Sequence, residues 1–439
     1  MSKKKKFNLT AATQINLIES LRNSKRIFAR GDWLTKNNIY RTNTTKKINE
    51  ENDFKTKEKI NHITTYIGSS SIIHCFDGWK YLGRAVSSAI DLDLATARHL
   101  AYYAELRAAI SILSSQGIAV FDKHHVVLGR KEIYIKKGLS THLMTWKALS
   151  HFTNLNRSSE SLLKIIKPDH HTLNDWLNTS GVSAIKLLLG KHWLKTWGLD
   201  IKRFSKDRES RNYLSYRPSQ FNEKYFRDMS SLVLLINNLW ESSEYPTFKS
   251  IDRQILKASL MKSFYYKTGN DAKTSRDRYN KEVEMIIRNL APSGYSSDFW
   301  FNYLTDMDDE SFLIKEASGR VNVLDPRNYV QMICRAFLLL RIASGYIKMN
   351  LESADITNEE LKFWWLPLIK YLGYTQDDIE SFELNDILLT DILSSKKNLV
   401  TLITDPSFYT NTYLWRNNYF QDKNLASQFD RVGIIAITT

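Results

Sequence analysis

Residues 94–116, LATARHLAYYAELRAAISILSSQ, constrain the fold most. The stretch carries six alanines among leucines and isoleucines, and its charged residues are Arg98, His99, Glu105 and Arg107. Alanine has the highest helix propensity, and small side chains let a neighbouring helix approach closely. Asp91 or Asp93 can cap the start and Gly117 can end it, so the stretch reads as a core helix that the rest of the chain has to surround. After Gly117 the hydrophobic period falls from 3.6 to 2 over Ile118 to Phe121, Val126 to Leu128 and Glu132 to Ile135, which predicts a β-hairpin or three-strand wing near residues 118–136.

Elsewhere the period is helical. Residues 11–29 form a predicted helix with Thr10 as N-cap. Ser69 to Ser71 are placed to cap a helix holding Ile72, Phe76, Trp79, Leu82 and Val86. Further helices are expected from Ser140, Ser158 or Ser159, and Asp169, then over Val182 to Trp197, Tyr225 to Trp240, Ile251 to Tyr266, Arg276 to Leu290 and Pro326 to Ala343. Asp325 and Pro326 read as N-cap and first helical residue of the last of these. Thr357 with Glu360 has capping-box spacing. Lys36 to Lys59 is nearly all Lys, Asn, Thr and Glu, a linker or charged helix that puts a boundary near residue 65. The fold class expected is mainly α, with two or more helical domains. Its divisions are a basic helix and linker at 1–65, a helical core with the β element at 66–200, a basic helical region at 201–297 and an acidic helical region at 298–439. No internal repeat is visible, and no apolar run near 18 residues suggests a membrane span.

Charge is the second constraint. The net +15 combines +22 over residues 1–297, −8 over 298–390 and +1 over 391–439. Such asymmetry suggests a polyanion partner for the basic body, and a protein partner or a neutralising role for the acidic region. Residues 186–217 hold 9 Lys/Arg against 3 acids, with Lys202, Arg203, Lys206, Arg208, Arg211 and Arg217 interleaved with Phe204, Tyr213 and Tyr216. Residues 253–281 hold 8 against 2, including Lys273, Arg276 and Arg278 beside Tyr279. Arginine binds phosphate bidentately and aromatic rings stack on unpaired bases, so these nine cations are the candidate DNA or RNA contacts. Two cysteines, Cys75 and Cys334, exclude a disulfide framework, and the basic start lacks an apolar leader segment, so a cytoplasmic location is expected.

Catalytic motifs fail in turn. There is no GxxxxGK[ST], GxGxxG or GxSxG, and no HExxH beside the doublets His124-His125 and His170-His171, which read as surface turn histidines. No Arg precedes a His by the spacing of helical HEPN ribonucleases. A metal nuclease of the PD-(D/E)xK kind could draw Asp122 and Glu132 from the hairpin, but the lysine falls at Lys136, outside the motif's spacing. The run Asp306, Asp308, Asp309, Glu310 reads as a solvated loop, and Cys75 as a buried structural thiol. No cofactor, no metal site and no catalytic residue is assigned.

Ser71 to Phe121 resembles a segment of uncharacterised bacterial proteins of anti-phage defence islands, through Gly78-Trp79, the run from Ala97 to Arg107, and Gly117-Ile118. The resemblance implies a bacterial defence component acting with other subunits. On the core helix Arg98 and Glu105 are seven residues apart and share a face, so Arg98, His99, Glu105 and Arg107 form a candidate polar cluster, with helix-to-helix salt bridges as the plainer reading. The expected function is a non-enzymatic subunit of a defence or nucleic-acid-processing complex that holds DNA or RNA by its phosphates and docks a partner protein. A divergent metal-dependent nuclease and a pure protein scaffold are the alternatives.

Overall fold

The computed structural model describes residues 8–438 except 52–53, 55, 131, 182–187, 217–228, 244–247, 320–327, 372, 382–383 and 406–418. The fold is mainly α with one small antiparallel sheet. In chain order come α1 (Ile15–Phe28), α2 (Thr44–Glu50), α3 (Lys57–Ile90) and α4 (Leu94–Ser115), then β1 (Ile118–Val120), β2 (His124–Leu128) and β3 (Ile133–Lys137). Helices α5 (Thr141–Phe152), α6 (Asn156–Ile165), α7 (Leu173–Thr179), α8 (Gly190–Thr196), α9 (Ile201–Tyr216) and α10 (Met229–Ser242) follow. After them come α11 (Lys249–Thr268), α12 (Arg276–Leu290), α13 (Ser297–Thr305), α14 (Phe312–Ser318), α15 (Asn328–Ser353) and α16 (Asn358–Tyr371). Four more helices, Gln376–Ser381, Leu384–Thr404, Phe420–Ala426 and Phe429–Thr438, lie beyond.

The alanine-rich helix is the centre. Asp93 accepts the Thr96 amide at 3.0 Å as its N-cap, and α3, α15, α9, α5 and β1 all pack on it. Gly117 stops it with φ +79°, and a Cβ there would sit 2.6 Å from the Thr13 carbonyl oxygen, so a glycine is required. The chain then turns into the antiparallel order β1-β2-β3, with Ile118 opposite Val127 and Val127 opposite Tyr134.

Expectations change at several helix starts: α1 begins at Ile15 behind Gln14 and not after Thr10, and α7 is capped by Thr172 and not Asp169. Ser69 to Ser71 do not start a helix: α3 begins at Lys57, capped by Thr56, and runs through them, so the boundary placed near residue 65 falls inside it. The hydroxyls of Ser69 and Ser71 donate instead to the carbonyls of Trp33 and Gly68, at 2.8 and 2.6 Å. Helix α15 does contain a stretch apolar enough to cross a membrane, with mean hydropathy 1.4, but 89% of that stretch is buried in the chain's own core. Asp325 and Pro326, its expected cap and first residue, lie outside the described residues.

One continuous apolar core runs from Ala12 to Ile437. Trp79 stacks on Phe248 at 5.7 Å, meets Phe337 edge-on at 5.6 Å and donates to the Ser344 hydroxyl at 3.1 Å. A Cβ on Gly78 would lie 2.5 Å from Leu340 Cδ2, so the absence of a side chain at Gly78 lets α15 pack closely on α3 there. Buried arginines of α15 pin further helices. Arg341 holds Asp252 of α11 through Nε and Nη2, at 2.9 and 2.5 Å, and donates to the Ile165 carbonyl at 2.9 Å.

Candidate functional site

Helices α4 and α9 were singled out separately, the first for its polar cluster and the second for its cations, and the fold packs them together. At the floor of this contact Glu105 of α4, Asp207 of α9 and Arg335 of α15 are all fully buried. Arg335 grips Asp207 bidentately, at 3.0 and 2.7 Å, and its Nε lies 3.4 Å from Glu105 Oε1. Two carboxyls therefore share one guanidinium. Burial, then the charge of Asp207, holds the Glu105 carboxyl well above the usual range, and burial raises Asp207 as well. When one carboxyl keeps its proton, the trio is neutral.

Above this floor lie the buried rings of Tyr102, Trp146 and Phe204, with His99, Tyr103, His142, Arg208 and Arg211 half-buried around them. Tyr102 Oη is 2.9 Å from His142 Nδ1 and accepts a long bond from Trp146 Nε1 at 3.4 Å. Trp146 stacks on Phe204 at 4.6 Å and 5°, which fixes α5 to α9. The Arg211 guanidinium lies 5.2 and 5.7 Å from the ring centres of Tyr102 and Tyr103. His99 and His142 gather on Tyr103, at ring separations of 5.1 and 6.2 Å. Burial and then Arg211 lower the His99 pKa; burial, Arg211 and then Arg208 lower that of His142; and burial pushes the Tyr102 hydroxyl up to about 12. Two neutral imidazoles thus sit in a field set by two arginines. His142 is the second residue of α5, whose N-cap Ser140 makes no side-chain capping bond.

The other residues singled out from the sequence disperse. Arg98 is buried on the face of Glu105, whereas Arg107 turns to α3, 2.7 Å from His74 Nδ1 and 3.8 Å from Asp77. On α9, Lys202 and Lys206 are exposed, but Arg203 donates to the Ala317 and Gly319 carbonyls at 2.9 and 2.6 Å and braces the fold. Arg217 lies outside the described residues. His142, Tyr102, Tyr103, Trp146 and Asp207 were not selected from the sequence. The adjacent Tyr102-Tyr103 pair, one turn after His99, was the available signal.

The nuclease hairpin comes apart. Asp122 is in the β1–β2 turn and Glu132 in the β2–β3 turn, at opposite ends of the five-residue β2, and about 17 Å of strand separates them at ~3.4 Å per residue. Among the described residues no cluster of three or more His, Cys, Asp or Glu is placed to hold a metal ion. The histidine doublets also differ from expectation. His124 and His125 belong to β2, where His125 is buried and bonds the Leu139 carbonyl at 2.9 Å, and His171 pairs with Asp169 at 3.0 Å. The acidic run is a surface turn: Asp306 accepts the amides of Asp308 and Asp309 and its carboxyl is lowered by them, while Asp309 meets Lys257 and Glu310 meets Lys315, both at 3.3 Å. Cys75 and Cys334 are free and buried, and burial drives the Cys75 thiol up to about 12.

The second basic segment lines an open groove of about 740 Å³ bounded by α8, α11 and the α13–α14 turn. Lys195, Lys262 and Lys273 line it together with Tyr265 and Tyr266, which are 48% and 42% exposed. Lys262 Nζ sits 5.0 and 4.8 Å from those two ring centres. Burial first, then the positive charges of Lys191, Lys262 and Lys195, lower the pKa of His192 in the same groove. Arg276 and Arg278 stand exposed in the first turn of α12, just after Lys273. No family model, curated protein or solved structure matches this chain, so the chemistry of both places has to be read from their own side chains.

Proposed function

We propose that the chain binds single-stranded nucleic acid along the groove between α8 and α11, as a component of a nucleic-acid-processing or defence assembly. The observation that carries this reading is the pair of exposed tyrosines, Tyr265 and Tyr266, bracketed by Lys195, Lys262 and Lys273 in one open channel. Phosphates supply affinity through the lysines, and bases supply stacking partners for the rings without sequence readout, at about 1–3 kcal/mol per stacked base. Double-stranded DNA, whose bases are already stacked, offers the rings nothing. The acids Asp271, Asp309 and Glu310 on the groove wall temper the field, so affinity rests on stacking as well as charge.

The test is fluorescence anisotropy of labelled single-stranded RNA, single-stranded DNA and duplex DNA across a salt series. Binding of single strands at about 50 mM salt is expected, with log affinity falling linearly against log salt. Lys262→Ala should reduce that slope by about 1. Tyr265→Ala combined with Tyr266→Ala should weaken single-strand binding about tenfold or more while leaving the slope in place. Absence of binding to all three probes rules the reading out, and equal loss on duplex and single strand rules out stacking.

A further inference from the structure

We propose that the rim where α4, α5 and α9 meet is a centre that cleaves RNA phosphodiesters, with His142 and His99 as the proton-transfer pair and Arg208 and Arg211 as the phosphate clamp. It uses none of the residues of the α8–α11 groove and does not depend on that groove binding nucleic acid.

Four observations converge on it. Two imidazoles gather on one ring, that of Tyr103, at 5.1 and 6.2 Å, with Tyr81 stacked on the same ring at 5.5 Å, so both histidines belong to one cluster. Arg211 lies over the same ring at 5.7 Å and influences both histidines, so one cation can reach a phosphate held beside them. Tyr102 Oη holds His142 Nδ1 at 2.9 Å, and a base oriented by a third group is what proton abstraction requires. All five of His99, Tyr103, His142, Arg208 and Arg211 are half-buried, neither dispersed in solvent nor sealed in the core, above a fully buried trio that fixes the positions of α4 and α9.

In this proposal the nucleophile is the 2′-hydroxyl of RNA, which a neutral imidazole can deprotonate without further help. His142, with its Nδ1–H donated to Tyr102, presents Nε2 to take the 2′-hydroxyl proton. The 2′-oxygen then forms a bond to phosphorus while the bond from phosphorus to the 5′-oxygen breaks, and protonated His99 delivers a proton to that leaving oxygen. The products are a 2′,3′-cyclic phosphate and a 5′-hydroxyl, and one proton has passed from one imidazole's side to the other's with no redox change. Burial is the first cause that keeps both rings neutral and arginine charge the second; the incoming phosphate offsets the arginine contribution and so raises the basicity that His99 needs to carry its proton.

The test incubates the full chain with an end-labelled single-stranded RNA in EDTA, beside the same sequence as DNA and as 2′-O-methyl RNA. Cleavage of the RNA alone, leaving a cyclic phosphate, is expected, and it should fall about 100-fold or more in His142→Asn, His99→Asn and Arg211→Ala. Tyr102→Phe, which keeps the ring and removes the orienting hydroxyl, should lower the rate about tenfold and move one limb of the pH–rate profile. The groups facing His142 are Tyr102 and Tyr103 of α4 and Arg208 and Arg211 of α9; Tyr103 and Arg211 face His99. Thermal unfolding of each variant separates lost chemistry from lost fold, and a variant that fails to fold is replaced by its Gln counterpart. Intact RNA with the folded native chain overturns the proposal, as does cleavage that persists undiminished in folded His99→Asn and His142→Asn, or cleavage of the DNA.

Discussion

Glu105 sits fully buried beside a second carboxyl with one guanidinium between them, and this sets a pH dependence of definite sign. Its carboxyl is held above the ordinary 4.5, so the native chain keeps a proton that the unfolded chain releases. Stability from this group is therefore complete at pH below about 4.5 and is lost as pH rises from there toward the native value, at no more than ~1.4 kcal/mol per pH unit for one proton. Glutamine keeps the shape without the titration. Glu105→Gln should gain on the native protein as pH rises through that window in urea unfolding at matched pH values, and a difference that stays constant with pH would show that Glu105 carries no retained proton. The shared face of Arg98 and Glu105 was visible from their seven-residue spacing. Their surroundings were not, because Asp207 and Arg335 arrive from helices more than 100 residues later and helical periodicity carries no information about which faces meet. His142 escaped notice for the same reason: alone in its segment, it acquires meaning from Tyr102 across a helix contact.

At the scale of elements, boundaries set by local geometry were the legible ones. Gly117, Asp93 and the Thr357–Glu360 box act through local geometry, and each appears in place: Glu360 accepts both the amide and the hydroxyl of Thr357, at 2.8 and 2.6 Å. The serines of α3 misled because a hydroxyl serves a helix interior by donating to a nearby carbonyl as readily as it serves an N-terminus by accepting an amide. Helix α3 also shows what glycine does where helices meet. A Cβ on Gly83 would stand 2.2 Å from the Ser427 carbonyl oxygen and 3.3 Å from the Phe429 amide, and one on Gly433 would strike Trp79 at 2.7 Å. The obstacle at Gly83 is backbone, which no rotamer change relieves, so Gly83→Ala has to displace the Phe429–Thr438 helix from α3. A loss of about 1–3 kcal/mol is expected, read as a lower urea midpoint with an unchanged slope. An unshifted midpoint would mean that the two helices are not held at this spacing in solution.

Over the whole molecule the charge split is partly closed on itself. Arg22 and Lys25 of α1 meet Asp355 and Glu360, at 3.4 and 3.3 Å, and Arg22 Nη2 and Lys25 Nζ donate to the carbonyls of Ser353 and Asp355, both at 2.7 Å. Two cations of the basic start are thus turned toward the acidic region, while those of α8, α9, α11 and the start of α12 include exposed lysines and arginines that can attract a polyanion. Linear charge counting located the excess but not this internal cancellation, since contacts between residues 22 and 355 have no signature in sequence. The same geometry decides whether the basic body can exist without the acidic one. Helix α15 packs on both α3 and α4, Arg335 and Arg341 from it neutralise Asp207 and Asp252, and Leu340 fills the notch at Gly78. Removing residues 298–439 would expose the apolar faces of α3 and α4 and leave two buried carboxyls without their cation, each a loss of about 3–5 kcal/mol when one partner of a buried pair is removed. A chain of residues 1–297 should therefore show no cooperative thermal transition, and co-expression with residues 298–439 should restore one. A cooperative transition in the fragment alone would show instead that the basic body builds its own core and that α15 docks on a structure already formed.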